Sequence, residues 1–133
     1  MESSSIELPG SEIDAVSYRN GCLCVRFSRA YITKTMTGSH ERTRWWQCGD
    51  LIMEGAKIES ELPGGRLICN GGDIDDNIFT YRDIIPIPLD TRGHTCCDLG
   101  FHDTDKRLVA SGETLRLEMM DVPKYIEHIR PED

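Results

Sequence analysis

The sequence lacks any long apolar run. Its longest apolar segment is Ile84 to Leu89, which is six residues long and contains two prolines. A helix that crosses a bilayer needs about 20 predominantly apolar residues, so we expect none here. The first residues, MESSSIE, also lack the basic start and the apolar stretch of a secretion signal. These absences predict a cytoplasmic protein without a membrane-spanning segment.

Cations are scarce relative to anions. The chain has 15 Lys and Arg against 23 Asp and Glu, which gives a formal net charge of -8. A surface that binds phosphate backbones presents clustered cations, so we expect neither a nucleic-acid partner nor a membrane surface as a partner. An acidic surface keeps a protein soluble, and it is also complementary to a basic protein partner.

The common enzyme motifs are missing. The segment Gly64-Gly65-Arg66 lacks the Gly-Lys-Ser/Thr ending of a phosphate-binding loop. Gly-x-Gly-x-x-Gly, His-Glu-x-x-His and Gly-x-Ser-x-Gly are also absent. The sequence therefore favours a protein without catalytic activity, although it leaves the question open.

Helical periodicity is nearly absent, and apolar residues instead recur at every second position. Leu23, Val25 and Phe27 alternate with more polar neighbours, and similar alternation occurs over residues 56–62, 96–102 and 114–119. We count about nine strands. This pattern predicts an all-β, mainly antiparallel fold: a single domain over residues 1–133, built as a β-sandwich or small barrel with hairpin and meander connections.

Turn-forming residues divide these strands. Asn20-Gly21 predicts a hairpin between residues 13–19 and 22–33. Residues 103–106 and 111–113 predict two more hairpins and thus a three-stranded meander over residues 94–120. The segments 63–65 and 70–73 are expected to bracket a short strand around residues 67–69.

Prolines mark two further segments. Pro86 and Pro88 restrict residues 84–89 to an edge strand or an extended connection, since proline cannot donate a ladder hydrogen bond. Pro123 suits the first turn of a helix, so at most one short C-terminal helix is predicted over residues 123–129. A final strand is the alternative for that segment.

The six cysteines, at positions 22, 24, 48, 69, 96 and 97, occur mostly within strand-like segments. In the cytoplasm thiols stay reduced and behave as small core residues. Disulfides and a metal site remain as alternatives.

One candidate ligand site is the segment from Thr35 to Trp46. Lys34, Arg42 and Arg44 against Glu41 make it locally positive, it contains His40, and it ends in the pair Trp45-Trp46. Cations beside aromatic rings can hold an anionic or planar ligand through charge and ring stacking. The alternative is a solvated hairpin loop with the two tryptophans on opposite faces of a sheet, one of them in the core.

A second candidate site is a metal site on the segment 94–102. On a strand His94, Cys96 and Asp98 share one face, and His102 joins them if no bulge intervenes near Gly100. These ligand types suit zinc, although the CxxC spacing of typical zinc sites is missing. The alternative is an ordinary polar sheet face. The acidic run 73–77 resembles a calcium loop only in part, because it lacks the required Gly and Glu.

From these observations we expect a small acidic β-domain that binds a protein partner or a small ligand without catalysis. Unpaired strand edges make a homodimer through a sheet edge or face a further expectation. Two alternatives remain. One is a small metalloprotein or enzyme that uses His94, Cys96, Asp98 and His102, with zinc as its cofactor. The other is a ligand-binding barrel with the Trp45-Trp46 loop at its mouth.

Overall fold

A computed structural model describes residues 2–36, 38 and 40–130. These residues form nine strands: β1 (Glu2–Arg19), β2 (Cys22–Met36), β3 (Arg42–Glu54), β4 (Lys57–Ile58), β5 (Leu67–Asp76), β6 (Phe79–Arg82), β7 (Ile84–Ile87), β8 (Asp90–Phe101) and β9 (Arg107–Ile129). The described part of the chain has no helix, and so no helix long and apolar enough to cross a membrane.

All nine strands belong to one antiparallel sheet. Its order is β6-β5-β8-β9-β3-β2-β1-β7, and β4 pairs with β9. The sheet also curls until β5 meets β1, where Glu12 pairs with Ile68 and Ile13 pairs with Leu67. These two residue pairs are too few to make a clean barrel. The all-β antiparallel prediction is confirmed, with one curled sheet in place of two packed sheets.

The inner face of the sheet holds the apolar core. In β2 the alternating residues Leu23, Val25 and Phe27 are buried, as the sequence predicts. Burial of apolar surface is the main favourable term in folding. The sheet therefore curls so that its apolar inner face is removed from water. The largest fully buried side chains come from strands all round the sheet: Phe27, Phe101, Ile6, Leu8, Ile13, Leu23, Ile32, Leu51, Met53, Ile74, Ile85 and Leu99.

Three local predictions are confirmed, two of them turns and one an edge strand. Asn20 and Gly21 join β1 to β2 with φ angles of 53° and 76°, the positive values that a type I′ turn requires at both central positions. Residues 102–106 join β8 to β9. The strand with Pro86, β7, pairs only with β1 and is therefore an edge strand.

Two glycine-containing segments predicted as turns lie inside strands instead. Gly112 is within β9, and a Cβ there would lie 2.4 Å from Met53 Cγ. Gly72 is within β5, and a Cβ there would lie 2.2 Å from the carbonyl oxygen of Asp98. Both glycines permit close packing against a neighbouring strand. The predicted three-stranded meander is therefore wrong, and two long strands, β8 and β9, take its place.

Two other predictions fail. The C-terminal helix is wrong and the strand alternative is right, because residues 123–129 continue β9 along β3, where Lys124 pairs with Trp46 and Tyr125 with Trp45. The strand predicted over 56–62 shrinks to β4, and Leu62 beyond it is exposed.

We expect Gly72→Ala to lower the free energy of unfolding by about 2 to 3 kcal/mol, because the added methyl group meets backbone atoms of β8 that cannot move independently. Gly64→Ala is the matched control. A Cβ at Gly64 has no atom within 4 Å, so the change should be within about 0.5 kcal/mol. Chemical denaturation measures both. If both variants changed the free energy of unfolding by the same amount, the close packing of β5 on β8 would be contradicted.

Candidate functional site

The two adjacent tryptophans of β3 point to opposite faces of the sheet. Trp45 packs against the core, and its ring meets that of Tyr125 edge to face at 5.2 Å. Its Nε1 donates a hydrogen bond of 2.8 Å to Thr43 Oγ1, and Lys34 Nζ lies 4.5 Å from the ring centroid. Trp45 is thus held by its neighbours and does not form a mouth together with Trp46.

Trp46 lies on the outer face between two cations. The guanidinium carbon of Arg29 and the Nζ of Lys124 each lie 4.4 Å from the ring centroid. Arg29 comes from β2 and Lys124 from β9, the two strands that flank β3. Each contact of this kind is worth about 0.5 to 1 kcal/mol at an exposed site, so together they restrain the indole ring.

Trp46 forms one side of an open groove of about 660 Å³ where β1 meets β5. We call it the Trp46 groove. This volume is within the range of small-ligand sites. Its lining combines apolar, cationic and anionic side chains: Glu12, Ile13, Asp14, Ser28, Arg29, Trp46, Arg66, Leu67 and Ile68.

The charges in the Trp46 groove differ in how they are paired. Glu12 Oε2 accepts a hydrogen bond of 2.9 Å from the Tyr31 hydroxyl, and Asp14 Oδ1 lies 3.6 Å from Arg66 Nε. The Arg66 side chain is 91% exposed, so this ion pair is weak. Arg29 forms no ion pair with any carboxylate in the described part of the chain. A cation is therefore available beside an aromatic ring.

The remaining residues of the predicted ligand site lie elsewhere. Arg44 is on the Trp46 face, where its guanidinium carbon lies 5.2 Å from the Tyr31 ring centroid and its Nη2 lies 3.6 Å from Glu7 Oε2. Arg42 begins β3. His40 is exposed before it, and residues 37 and 39 of the predicted segment lie outside the described residues. Of the predicted set, only Trp46 lines the groove.

Sequence reasoning missed Arg29, Arg66 and Ile68. They come from β2, from the residue before β5 and from β5 itself. The β2–β3 pairing places Arg29 beside Trp46, and the β1–β5 pairing brings Arg66 and Ile68 to the same groove. No local pattern in the sequence marks these residues, because both pairings join segments that only the folded sheet brings together.

The predicted metal ligands come together only in part. Cys96 Sγ lies 3.5 Å from His94 Nε2, so these two share a face as predicted. Asp98 instead forms an ion pair with Arg107, with Oδ1 and Nε 2.6 Å apart, and His102 follows the end of β8. Among the residues described, no three His, Cys, Asp or Glu side chains are placed to hold one metal ion.

The carboxylates of the acidic run 73–77 contact residues of their own hairpin and of β8. Asp73 Oδ1 lies 3.3 Å from Arg82 Nε, and Asp75 Oδ1 accepts a hydrogen bond of 2.7 Å from Thr80. Asp76 Oδ1 accepts one of 2.6 Å from Thr91. These carboxylates stabilise the β5–β6 hairpin and its junction with β8.

All six cysteines are free thiols. Burial raises the pKa of Cys97 to about 12 and that of Cys69 to about 11. The thiolate is the nucleophile and the metal ligand, so a buried thiol with a raised pKa is inert. Cys96 is partly exposed while Cys97 is buried, which places these neighbours on opposite faces.

No protein-family model matches the chain, and comparison with curated proteins and with solved structures likewise finds no significant similarity. The Trp46 groove therefore has to be interpreted from its own chemistry.

We expect Cys97 and Cys69 to resist iodoacetamide in the folded protein at pH 8, because both are buried and their pKa values lie well above that pH. Peptide mapping by mass spectrometry identifies the modified thiols. The control is the denatured protein, in which all six cysteines should react. Rapid native modification of Cys97 would contradict its placement on the inner face.

Proposed function

We propose that this chain is a binding protein without catalytic activity, and that it holds its ligand in the Trp46 groove. The observation that carries the proposal is the Arg29 guanidinium, which stacks on Trp46 and forms no ion pair with a described carboxylate, beside exposed apolar surface. The matching ligand is an anion attached to an apolar or planar group.

The anionic part of the ligand is favoured by local rather than overall charge. A protein of net charge -8 repels anions at a distance, so affinity has to come from cations within the groove. Arg29 supplies one such cation. Arg66 supplies a second, since its exposed pair with Asp14 is worth at most about 1 kcal/mol and a ligand carboxylate can compete for it.

The apolar part of the ligand is favoured by Ile68 and Leu67. Ile68 is 47% exposed, which is unusual for isoleucine, and Leu67 beside it is half-buried. Covering about 100 Å² of such apolar surface contributes roughly 2.5 kcal/mol. The groove thus pairs a cationic side with an apolar side, and a ligand needs both features to bind well.

A titration with 1-anilinonaphthalene-8-sulfonate, a planar aromatic anion, tests this proposal through the two indole N–H signals of the ¹⁵N-labelled protein. We expect the Trp46 signal to shift and the Trp45 signal to stay in place, because Trp45 faces the other side of the sheet. The variants Trp45→Phe and Trp46→Phe assign the two signals. A shift confined to Trp45 would refute the site.

We further expect Arg29→Ala to weaken binding of this probe by about 3- to 10-fold, which corresponds to the loss of roughly 0.7 to 1.4 kcal/mol. Lys57→Ala removes a cation from β4, outside the groove, and serves as the control with unchanged affinity. Equal binding by Arg29→Ala and the wild type would refute the role of the cation. Titrations with benzoate and with a short acidic, aromatic peptide then distinguish a small ligand from a protein segment.

A further inference from the structure

The second half of β9 has a free edge. Between Glu118 and Ile129 it pairs with β3 on one side, while its pairing with β8 on the other side ends at Arg116. Within the described residues no strand covers that second side. Four large apolar residues of this segment are exposed to between 38% and 67%: Met120, Val122, Tyr125 and Ile126.

The other edges of the sheet are short. The edge strand β7 has four residues, one of them Pro86, which cannot donate a ladder hydrogen bond. The edge strand β6 also has four residues. The free edge of β9 also contains a proline, Pro123, but it runs for twelve residues from Glu118 to Ile129 and is the longest free edge among the described strands. Exposed edges with apolar side chains are the usual sites of such pairing.

We propose that this edge binds the same edge of a second copy of the chain, as an antiparallel pair about a two-fold axis. The register places Tyr125 opposite Ile126 of the second copy. It then places Lys124 opposite Glu127 and Asp121 opposite Arg130, each twice by symmetry. Val122 lies opposite Ile129. Every Asp, Glu, Lys and Arg between residues 121 and 130 thus meets an opposite charge, and His128 faces Pro123.

A bulge in β9 makes this register geometrically allowed. Lys124 pairs with Trp46 and Glu127 pairs with Arg44, two positions apart on β3, so Ile126 is an extra residue in β9. Lys124 and Glu127 therefore point to the same face of the sheet. A two-fold axis perpendicular to a sheet preserves its faces, so the two side chains can meet across the edge.

Registers shifted by one residue lose this complementarity. If Tyr125 lies opposite Tyr125 of the second copy, Lys124 lies opposite Ile126 and Asp121 opposite Ile129. If Ile126 lies opposite Ile126 of the second copy, Tyr125 lies opposite Glu127 and Lys124 opposite His128. Both shifts place charged side chains against apolar ones, which disfavours them. Charge complementarity thus selects the second copy as the occupant and fixes how it binds.

The contact is small, which sets the expected affinity. Because β9 is bulged, its residues from Met120 to Ile129 lie opposite only the seven residues from Cys48 to Arg42 of β3, so the edge is about 23 Å long. An interface of this size is at the low end for specific complexes, so we expect a dissociation constant of micromolar order or weaker. The measurement has to cover a wide range of protein concentration.

Sedimentation velocity over a roughly hundred-fold concentration range tests the proposal. We expect a reversible monomer–dimer equilibrium for the wild type. Glu127→Lys places like charges opposite each other twice per dimer and should raise the dissociation constant at least about ten-fold, the equivalent of 1.4 kcal/mol. The double variant Lys124→Glu/Glu127→Lys exchanges the two charges and should restore dimerisation.

Lys57→Glu on β4 is the control, since it makes the same reversal of charge away from the edge and should leave the equilibrium unchanged. Circular dichroism verifies that each variant folds. A wild type that remains monomeric throughout overturns the proposal. So does a Glu127→Lys protein that dimerises like the wild type, or a double variant that fails to recover. None of these outcomes depends on ligand binding in the Trp46 groove.

Discussion

The structure depends on one sheet having to cover its own apolar face. The described residues include no helix and no second sheet that could do so, so the strands must bend until the inner face is enclosed. Register shifts allow this bending: β1 has them between Glu7 and Ala15, and β2 has one between Phe27 and Ala30. The strands can therefore run for as many as 23 residues while still wrapping around one core.

The Trp46 groove forms where the curled sheet closes on itself, between β1 and β5. The curled sheet meets itself through only two residue pairs between β1 and β5, and beside them the two strands are not joined by ladder hydrogen bonds. That incomplete junction leaves Ile68 partly uncovered and keeps Arg66 in solvent. A longer ladder between β1 and β5 would cover this apolar surface. The proposed binding site thus occupies the place where backbone pairing is least complete, where a ligand can add contacts that the fold itself does not make.

The sequence predicts local features of this fold well and distant ones poorly. Alternation identifies the buried face of β2, and Asn20-Gly21 identifies its turn, because both depend on neighbouring residues. Gly72 and Gly112 mislead, because a glycine that permits close packing of strands looks the same in sequence as a glycine in a turn. The same limit applies to the sites. Asp98 shares a face with Cys96 as expected, yet its pairing with Arg107 depends on the register of β8 and β9. That Arg66 and Trp46 line the same groove likewise depends on the junction of β1 and β5.

Lys124 connects the two proposed surfaces. Its ammonium group lies 4.4 Å from the Trp46 ring centroid and 3.9 Å from Asp121 Oδ2, and its side chain is half exposed. In the proposed dimer it faces Glu127 of the second copy, which draws it away from the indole ring. Coupling between two binding events is reciprocal. Dimerisation therefore changes the affinity for the ligand by the same factor by which the ligand changes the affinity of dimerisation. Lys124 does not line the groove, and Arg29 holds the ring independently, so this coupling is small compared with either binding free energy. The fold therefore places an edge and a groove on neighbouring strands of one sheet with only a weak coupling between them.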